Sequence, residues 1–251
     1  MDLAEFHTSL QAPQALGNTL SIASTDPRDL MKLGIGPEII EAARAGAVVL
    51  SIARFENYIK DIAGHFLDAY SRATPAITLS QLDVDLQLKL IKRNFSAASR
   101  EKEYGAPIDK AVVIQSIQGH ITRVVNDEVW AGEAIDTRSN PNAETVQEIF
   151  GLLGIPRAWE SINQEFLPRW AQHQLNYPLH KSIPSPKNEL TNIIGWRNIC
   201  AHTGQSLQIG AREVEETLAY LTILSAALDK VLEDASNSSI RTLGSTPAPW
   251  A

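Results

Sequence analysis

Apolar residues recur at helical spacing along most of the chain. From Pro37 to about Arg72 the residues Val48, Ile52, Phe55, Ile59, Ile62 and Phe66 alternate spacings of four and three. That pattern puts them on one face of a long helix and predicts the central element of a bundle. Shorter stripes predict further helices. Leu82, Leu86, Leu90 and Phe95 follow a capping Ser80 and fade into the charged stretch 99–104. Ile114, Ile117, Ile121 and Val124 are in phase between Pro107 and about Trp130. Ala143 to Leu153 forms a short helix closed by Gly154, and Pro156 opens another that carries Trp159, Ile162, Phe166 and Trp170. Val214, Leu218, Leu221 and Leu228 mark a last helix over 211–234. With few alternating runs to compete, the chain reads as an all-α bundle of about eight helices.

The ends read differently. Residues 1–35 form an N-terminal arm: 1–24 are polar but largely uncharged, with room for one or two helical turns, and Asp26-Pro27 starts a short helix that stops at Gly34-Ile35-Gly36. The helical domain covers 36–234. From Ala235 to Ala251 the Ser/Thr/Pro-rich composition predicts a disordered tail.

Composition narrows the chemistry. A single cysteine, Cys200, excludes an intramolecular disulfide and any zinc site built on cysteines. Asp2 and Glu5 precede no basic and apolar leader, and the longest uncharged apolar run, Thr217 to Leu228, is too short for a membrane span. A cytoplasmic protein without membrane contact is the expectation. The net charge of −7 argues against a general nucleic-acid surface. Residues 157–202 depart from this balance: Arg157, Arg169, Lys181, Lys187 and Arg197 outnumber Glu160, Glu165 and Glu189, and His173, His180 and His202 lie among them.

That basic segment ends in Gly195-Trp196-Arg197-Asn198-Ile199-Cys200-Ala201-His202, on a helix signalled to start at Ser185-Pro186 and to stop at Thr203-Gly204. At about 100° per residue, Leu190, Ile193, Ile194, Cys200 and Ala201 share an apolar arc with Arg197 in its middle. A guanidinium among apolar side chains costs several kcal/mol unless it is paired, so it calls for a carboxylate, a second subunit or a phosphate. Glu56 is the candidate carboxylate. Asn198 and His202 share a second, open face with Thr191 and Gly195. Arg197 and His202 stand roughly 140° apart on an ideal helix. The Arg side chain reaches around, the last turn distorts, or a second copy completes the site. The plain alternative is a buried Arg in a structural ion pair beside a surface His.

The string Arg-Asn-x-x-Ala-His resembles the signature of HEPN-domain ribonucleases. An Arg with a His a few residues on is common by chance; fixing Asn and Ala reduces the expectation to on the order of one chain in several hundred. Ser51–Asp61, with Phe55-Glu56-Asn57-Tyr58-Ile59-Lys60-Asp61, is similar to the first long helix of the RiboL-PSP branch of that family. Thr137-Arg138-Ser139-Asn140, followed by Val146, Ile149, Phe150 and Leu153-Gly154-Ile155, resembles a second block of the same branch. Together the resemblance covers about residues 40–235.

The resemblance implies a metal-independent endoribonuclease acting as a toxin or antiviral-defence effector, with a composite active site where two copies pair. Its substrate is RNA, its catalytic residues are Arg197, Asn198 and His202, and Glu56, Arg138 and Asn140 are supporting candidates. Arg138 and Asn140 read as residues that shape a loop and a helix start more than as substrate contacts. An antitoxin or other regulatory partner is implied as well. No cofactor or metal is expected, since His202 stands apart from any carboxylate cluster with ligand spacing. His173 and His180, each without a partner at motif spacing, read as surface residues, and Trp159, Trp170 and Trp196 as core or dimer contacts. Two other readings compete: a HEPN-like module that dimerises or binds nucleotide or RNA without cleaving, and an unrelated helical interaction protein.

Overall fold

The computed structural model describes residues 2–15, 37–100, 102–103, 106–132, 134–135, 141–203 and 209–250. The short helix expected at Asp26-Pro27 lies outside them. The described α-helices are α1 (Leu3–Ser9), α2 (Pro37–Arg72), α3 (Val84–Ala98), α4 (Lys110–Val125), α5 (Ala143–Leu152), α6 (Ala158–Asn176), α7 (Pro186–Thr203) and α8 (Ala211–Thr242). Residues 11–15 are helical too. Two short strands, β1 (Lys102–Glu103) and β2 (Ala106–Pro107), pair antiparallel with Lys102 opposite Pro107. The fold is all-α apart from this minimal hairpin. No helix among the described residues is long and apolar enough to cross a membrane.

The residues group into two compact units, Met1–Ile59 with Arg138–Val146 and Ala158–Val231, and Lys60–Thr137 with Gln147–Arg157 and Leu232–Ala251. In the first, the α2 residues Val48, Ile52, Phe55 and Ile59 are at most 1% exposed, and Trp159, Ile162, Phe166 and Trp170 of α6 are buried as their spacing predicts. Pro168 lies inside α6, which continues to Asn176. Val214, Leu218, Leu221 and Leu228 of α8 complete the apolar interior.

Helix α1 belongs to that interior. Asp2 and Glu5 form a reciprocal capping box: the Glu5 N–H donates to Asp2 Oδ1 at 2.8 Å and the Asp2 N–H to Glu5 Oε2 at 3.2 Å. Phe6 is fully buried, with its ring centroid 4.6 Å from that of Tyr58 in a stacked pair and 6.2 Å from that of Phe55. The Tyr58 hydroxyl donates to the Ser225 carbonyl at 3.1 Å. Burial, reinforced by the Asp229 carboxylate, pushes that phenol far above its usual range.

Three boundary expectations in the second unit change. Ser80 does not cap α3. It sits in a 3-10 turn, Leu79–Gln81, and its N–H and hydroxyl donate to the Asp127 carboxylate at 2.7 and 2.6 Å, while Asp83 caps the helix by accepting from the Asp85 N–H. Helix α4 begins at Lys110 rather than Pro107, because Pro107 is taken by the hairpin and Asp109 supplies the cap. It ends at Val125 instead of near Trp130, followed by Asp127 at φ 57°. The α4 stripe is not a core stripe: Ile114 and Ile121 are 56% and 48% exposed. Helical period was read correctly there, but period alone does not say which face is covered.

The disordered tail is also corrected. Helix α8 runs to Thr242, with Ser236 and Ile240 fully buried. The Ser239 hydroxyl accepts from Tyr70 at 2.9 Å, and Thr246 exchanges two backbone hydrogen bonds with Thr74, each 2.9 Å. Ser236 is buried and Ser239 bonds the Tyr70 hydroxyl, so polar composition is no mark of disorder here.

Candidate functional site: the open end of helix α7

Helix α7 starts where Ser185-Pro186 predicts. The Ser185 hydroxyl accepts from the Asn188 N–H at 3.3 Å and its carbonyl from Glu189 at 3.1 Å, while Pro186 occupies the first turn, where no amide is needed. The Pro186 carbonyl accepts from the buried Tyr220 hydroxyl at 2.7 Å. Burial, with Glu189 nearby, holds that phenol well above its ordinary value. Leu190, Ile193 and Ile194 are at most 4% exposed and fix the first half of the helix in the core of the first unit.

The second half emerges. Cys200 is half-buried and Ala201 is exposed, so the apolar arc expected to continue through them stops after Ile194. Trp196, Arg197 and Asn198 are half-buried, Ile199 is 40% exposed, and a Cβ placed on Gly195 meets nothing within 4 Å. Arg197 thus sits at the edge of the core rather than within it, and partial hydration removes much of the demand for a buried countercharge. It takes Asn198 as its hydrogen-bond partner: Nη1 donates to Asn198 Oδ1 at 3.0 Å. Glu56, the carboxylate named as a candidate partner, is 9% exposed on α2.

This contact carries the guanidinium from the apolar side of the helix toward Asn198. Helix α7 stays α-helical to Thr203, so no distortion of its last turn is involved. The Arg197 side chain swings round the helix to Asn198, which lies one turn before position 202. His202 is on the helix backbone; its side chain lies outside the described residues, as do Arg138 and Asn140. Of the second block, Val146, Ile149, Phe150 and Leu153 are buried, Gly154 has φ 85°, and the Ile155 N–H closes onto the Phe150 carbonyl at 2.8 Å.

Beside α7 the loop after α6 is tightly held. The Lys181 N–H donates to Glu216 Oε1 at 3.1 Å, and its carbonyl accepts from the Trp170 indole at 3.2 Å and the Gln174 amide at 3.0 Å. Its ammonium pairs with Glu189 at 2.7 Å and lies 5.3 Å from the centroid of the Trp196 ring. Trp196 precedes Arg197, so this lysine braces the neighbour of the candidate catalytic arginine.

His173 and His180 are not lone surface residues. His173 Nε2 and His180 Nδ1 are 3.0 Å apart, and the Tyr177 ring stacks against both. They line a pocket of about 620 Å³ with His7, Gln11, Gln14 and Glu215. Desolvation, then the neighbouring His180, depresses the His173 pKa; burial likewise lowers that of His7. Sequence spacing hid the pair, because the two residues meet only when the chain turns back after Asn176. Among the described residues, no three His, Cys, Asp or Glu side chains are gathered as a metal site.

The family model described as RiboL-PSP-HEPN matches residues 20–234. The chain belongs to the RiboL-PSP-HEPN family. The match spans α2 through most of α8, including the whole of α7 and both supporting segments that resembled this branch. Comparison with curated proteins and with solved structures yields no match. Within this RiboL-PSP-HEPN chain, Arg197 and Asn198 are brought together directly, with position 202 one helical turn beyond Asn198.

Proposed function

We propose that this RiboL-PSP-HEPN protein is an endoribonuclease whose active site is built on the emergent end of α7. The observation that carries the reading is the Arg197–Asn198 hydrogen bond, which turns the guanidinium toward the side of the helix on which residue 202 falls. RNA brings its own nucleophile. The 2′-oxygen attacks the adjacent phosphorus, the bond to the 5′-oxygen breaks, and the products are a 2′,3′-cyclic phosphate and a 5′-hydroxyl. A base takes the 2′-hydroxyl proton and an acid returns one to the leaving oxygen.

In this reading His202 serves proton transfer, the task for which imidazole, with a reference pKa of about 6.5, is suited near neutral pH. Arg197 meets the growing charge on the phosphate with paired, permanently protonated donors. Asn198 aims Arg197 and offers its amide N–H groups to the ribose or phosphate. Two copies meeting along α7 supply a second set of the same three residues, so a homodimer carries the composite site. A toxin or antiviral effector held by an antitoxin or regulatory partner, in the cytoplasm, is the cellular setting that fits such an activity.

The net charge of −7 favours a second reading, a module that pairs or binds nucleotide or RNA without cleaving. One experiment separates them. Purified wild type, Arg197→Ala and His202→Ala are incubated with RNA in EDTA and the ends of any fragments are analysed. Cleavage by wild type alone, with cyclic-phosphate ends, is expected. Intact RNA in every sample, together with a dimer that Arg197→Glu dissociates, would favour the binding module. Equal cleavage by all folded variants would remove α7 as the site.

A further inference from the structure

The His173–His180 pair has a consequence outside the proposed RNA chemistry. Between two neutral imidazoles separated by 3.0 Å, one nitrogen carries the proton and the other accepts it. One added proton leaves the bond in place, since an imidazolium still donates to a neutral partner. A second proton removes the last lone pair and sets two positive charges at contact distance. The contact is therefore two-state in a way that a bond between amides is not.

What it fastens is well defined. His173 lies in the last turn of α6, and His180, 8% exposed, is in the loop that leads to α7. The Tyr177 carbonyl accepts from the His180 N–H at 3.0 Å, the His180 carbonyl accepts from Gln174 at 3.2 Å, and Lys181 follows with its contacts to Glu216, Trp170, Glu189 and Trp196. We propose that the His173–His180 bond is a pH-sensitive latch: closed, it holds the loop that seats Lys181 under Trp196, and double protonation opens it.

The surrounding charges set the balance. From α1, His7 lines the same pocket, and Asp229 acts on His7. From α8 come Glu215, which lines the pocket, and Glu216, already engaged by Arg212 and the Lys181 N–H. On α6, Arg169 is four residues before His173 and is paired with Glu165. Tyr177 covers both rings. Glu215 favours taking up protons, whereas burial and the two imidazoles' mutual repulsion oppose it. Burial and the neighbouring His180 lower the His173 pKa, so opening belongs below the ordinary histidine range.

The substitutions that test the latch follow from atomic mimicry. Glutamine places an amide near an imidazole Nε2 and asparagine near Nδ1, so the double variant His173→Gln/His180→Asn keeps a hydrogen bond that protons do not break. His180→Ala has none. Full-length protein labelled with ¹⁵N in histidine and tryptophan is titrated from pH 7.5 to 5, with circular dichroism to confirm that it stays folded. In wild type the two imidazoles are expected to titrate together, with the protection of the Trp170 indole N–H, taken relative to the intrinsic exchange rate at each pH, falling by about tenfold or more as its Lys181 acceptor moves. The double variant should hold slow exchange throughout, and His180→Ala should exchange fast even at pH 7.5. Independent titration of the two rings with unchanged Trp170 exchange would overturn the latch, as would an unaltered transition in the double variant. A second readout rests on the ribonuclease reading: cleavage should fall more steeply with acid in wild type than in the double variant. Absence of all cleavage would count against that reading while leaving the spectroscopic test intact.

Discussion

Arg197 and Asn198 are adjacent in the chain and point about 100° apart on the helix, yet their side chains meet, with Nη1 donating to Oδ1 at 3.0 Å. The contact commits a guanidinium that starts on the apolar side of α7 to the open side. Asn198 therefore fixes where the positive charge stands.

On the ribonuclease reading, Asn198→Ala should be nearly as damaging to RNA cleavage as loss of Arg197 itself. A hydrogen bond to a charged donor contributes roughly 1.5–3 kcal/mol, and a misplaced charge-stabilising donor costs about 10²–10³ in rate. The expected outcome is a fall of about 100-fold in cleavage by Asn198→Ala, with the melting temperature within about 2 °C of wild type because the pair is half-buried. Asn198→Asp should retain the position of Arg197 but oppose the phosphate, lowering affinity for RNA. Rates measured with saturating RNA separate the two effects.

Phe6 gives a stability prediction independent of the proposed site. Fully buried and stacked on Tyr58, it anchors α1. Phe6→Ala is expected to destabilise the protein by about 3–5 kcal/mol, measured by urea unfolding. Asp2→Ala, which dismantles only the capping box, should cost about 1 kcal/mol. A loss for Phe6→Ala no larger than the cap variant's would mean that α1 does not dock in solution.

The pH dependence has a definite sign. Burial lowers the pKa of both His7 and His173 from 6.5, so the unfolded chain holds more protons than the folded one in this range. Stability contributed by the neutral rings is full above pH 6.5 and is lost as pH falls through that value toward the folded pKa values. Wild type should melt lower at pH 5.5 than at pH 7.5, and the double variant His7→Gln/His173→Gln should show a smaller drop. Equal drops would assign the acid sensitivity to other groups.

Much of this was legible in the chain and some was not, for separable reasons. Helix α7 was readable at both ends because Ser185-Pro186 and Thr203-Gly204 are local signals, and the α2 stripe because one face of it is buried along its length. The α4 stripe misled, since Ile114 and Ile121 keep the helical period on an exposed face. The arm at 1–24 was expected to hold only one or two helical turns, and neither the Asp2–Glu5 capping box nor the burial of Phe6 was foreseen. The His173–His180 contact and the turn of Arg197 toward Asn198 depend on how the chain folds back and on one rotamer. Neither leaves a periodic trace.

Asp127 illustrates such a contact with a testable charge. At φ 57° it places its carboxylate on the Ser80 N–H and hydroxyl, which hold its pKa below the ordinary 3.8. A depressed carboxylate stabilises the fold above its unfolded value and loses that contribution as pH falls through the folded one. Asp127→Ala is expected to lower the melting temperature at pH 7 by removing the acceptor while leaving a Cβ in the left-handed region. Asp127→Gly keeps the backbone at ease and isolates the hydrogen bonds. If Gly restores the wild-type value, conformational strain and not the Ser80 contact was the larger effect.

The end of α8 supplies the sharpest contrast between composition and structure. A disordered tail from Ala235 would be dispensable. Instead Ile240 is fully buried, Ser239 accepts from the Tyr70 hydroxyl, and Thr246 pairs with Thr74. Ile240→Ala is expected to cost about 2–5 kcal/mol, and Ser239→Ala about 1 kcal/mol, since the half-buried Tyr70 hydroxyl then loses its partner. Truncation after Asp234 removes all three contacts and exposes the apolar surface beneath Ile240. The truncated chain should unfold at much lower urea, with a smaller denaturant slope because less surface remains to be exposed. A midpoint unchanged by truncation would mean that these residues do not pack in solution, and Ile240→Ala should then be silent as well. Agreement between the two variants decides the matter, because a point substitution in an ordered tail and its deletion must fail in the same direction.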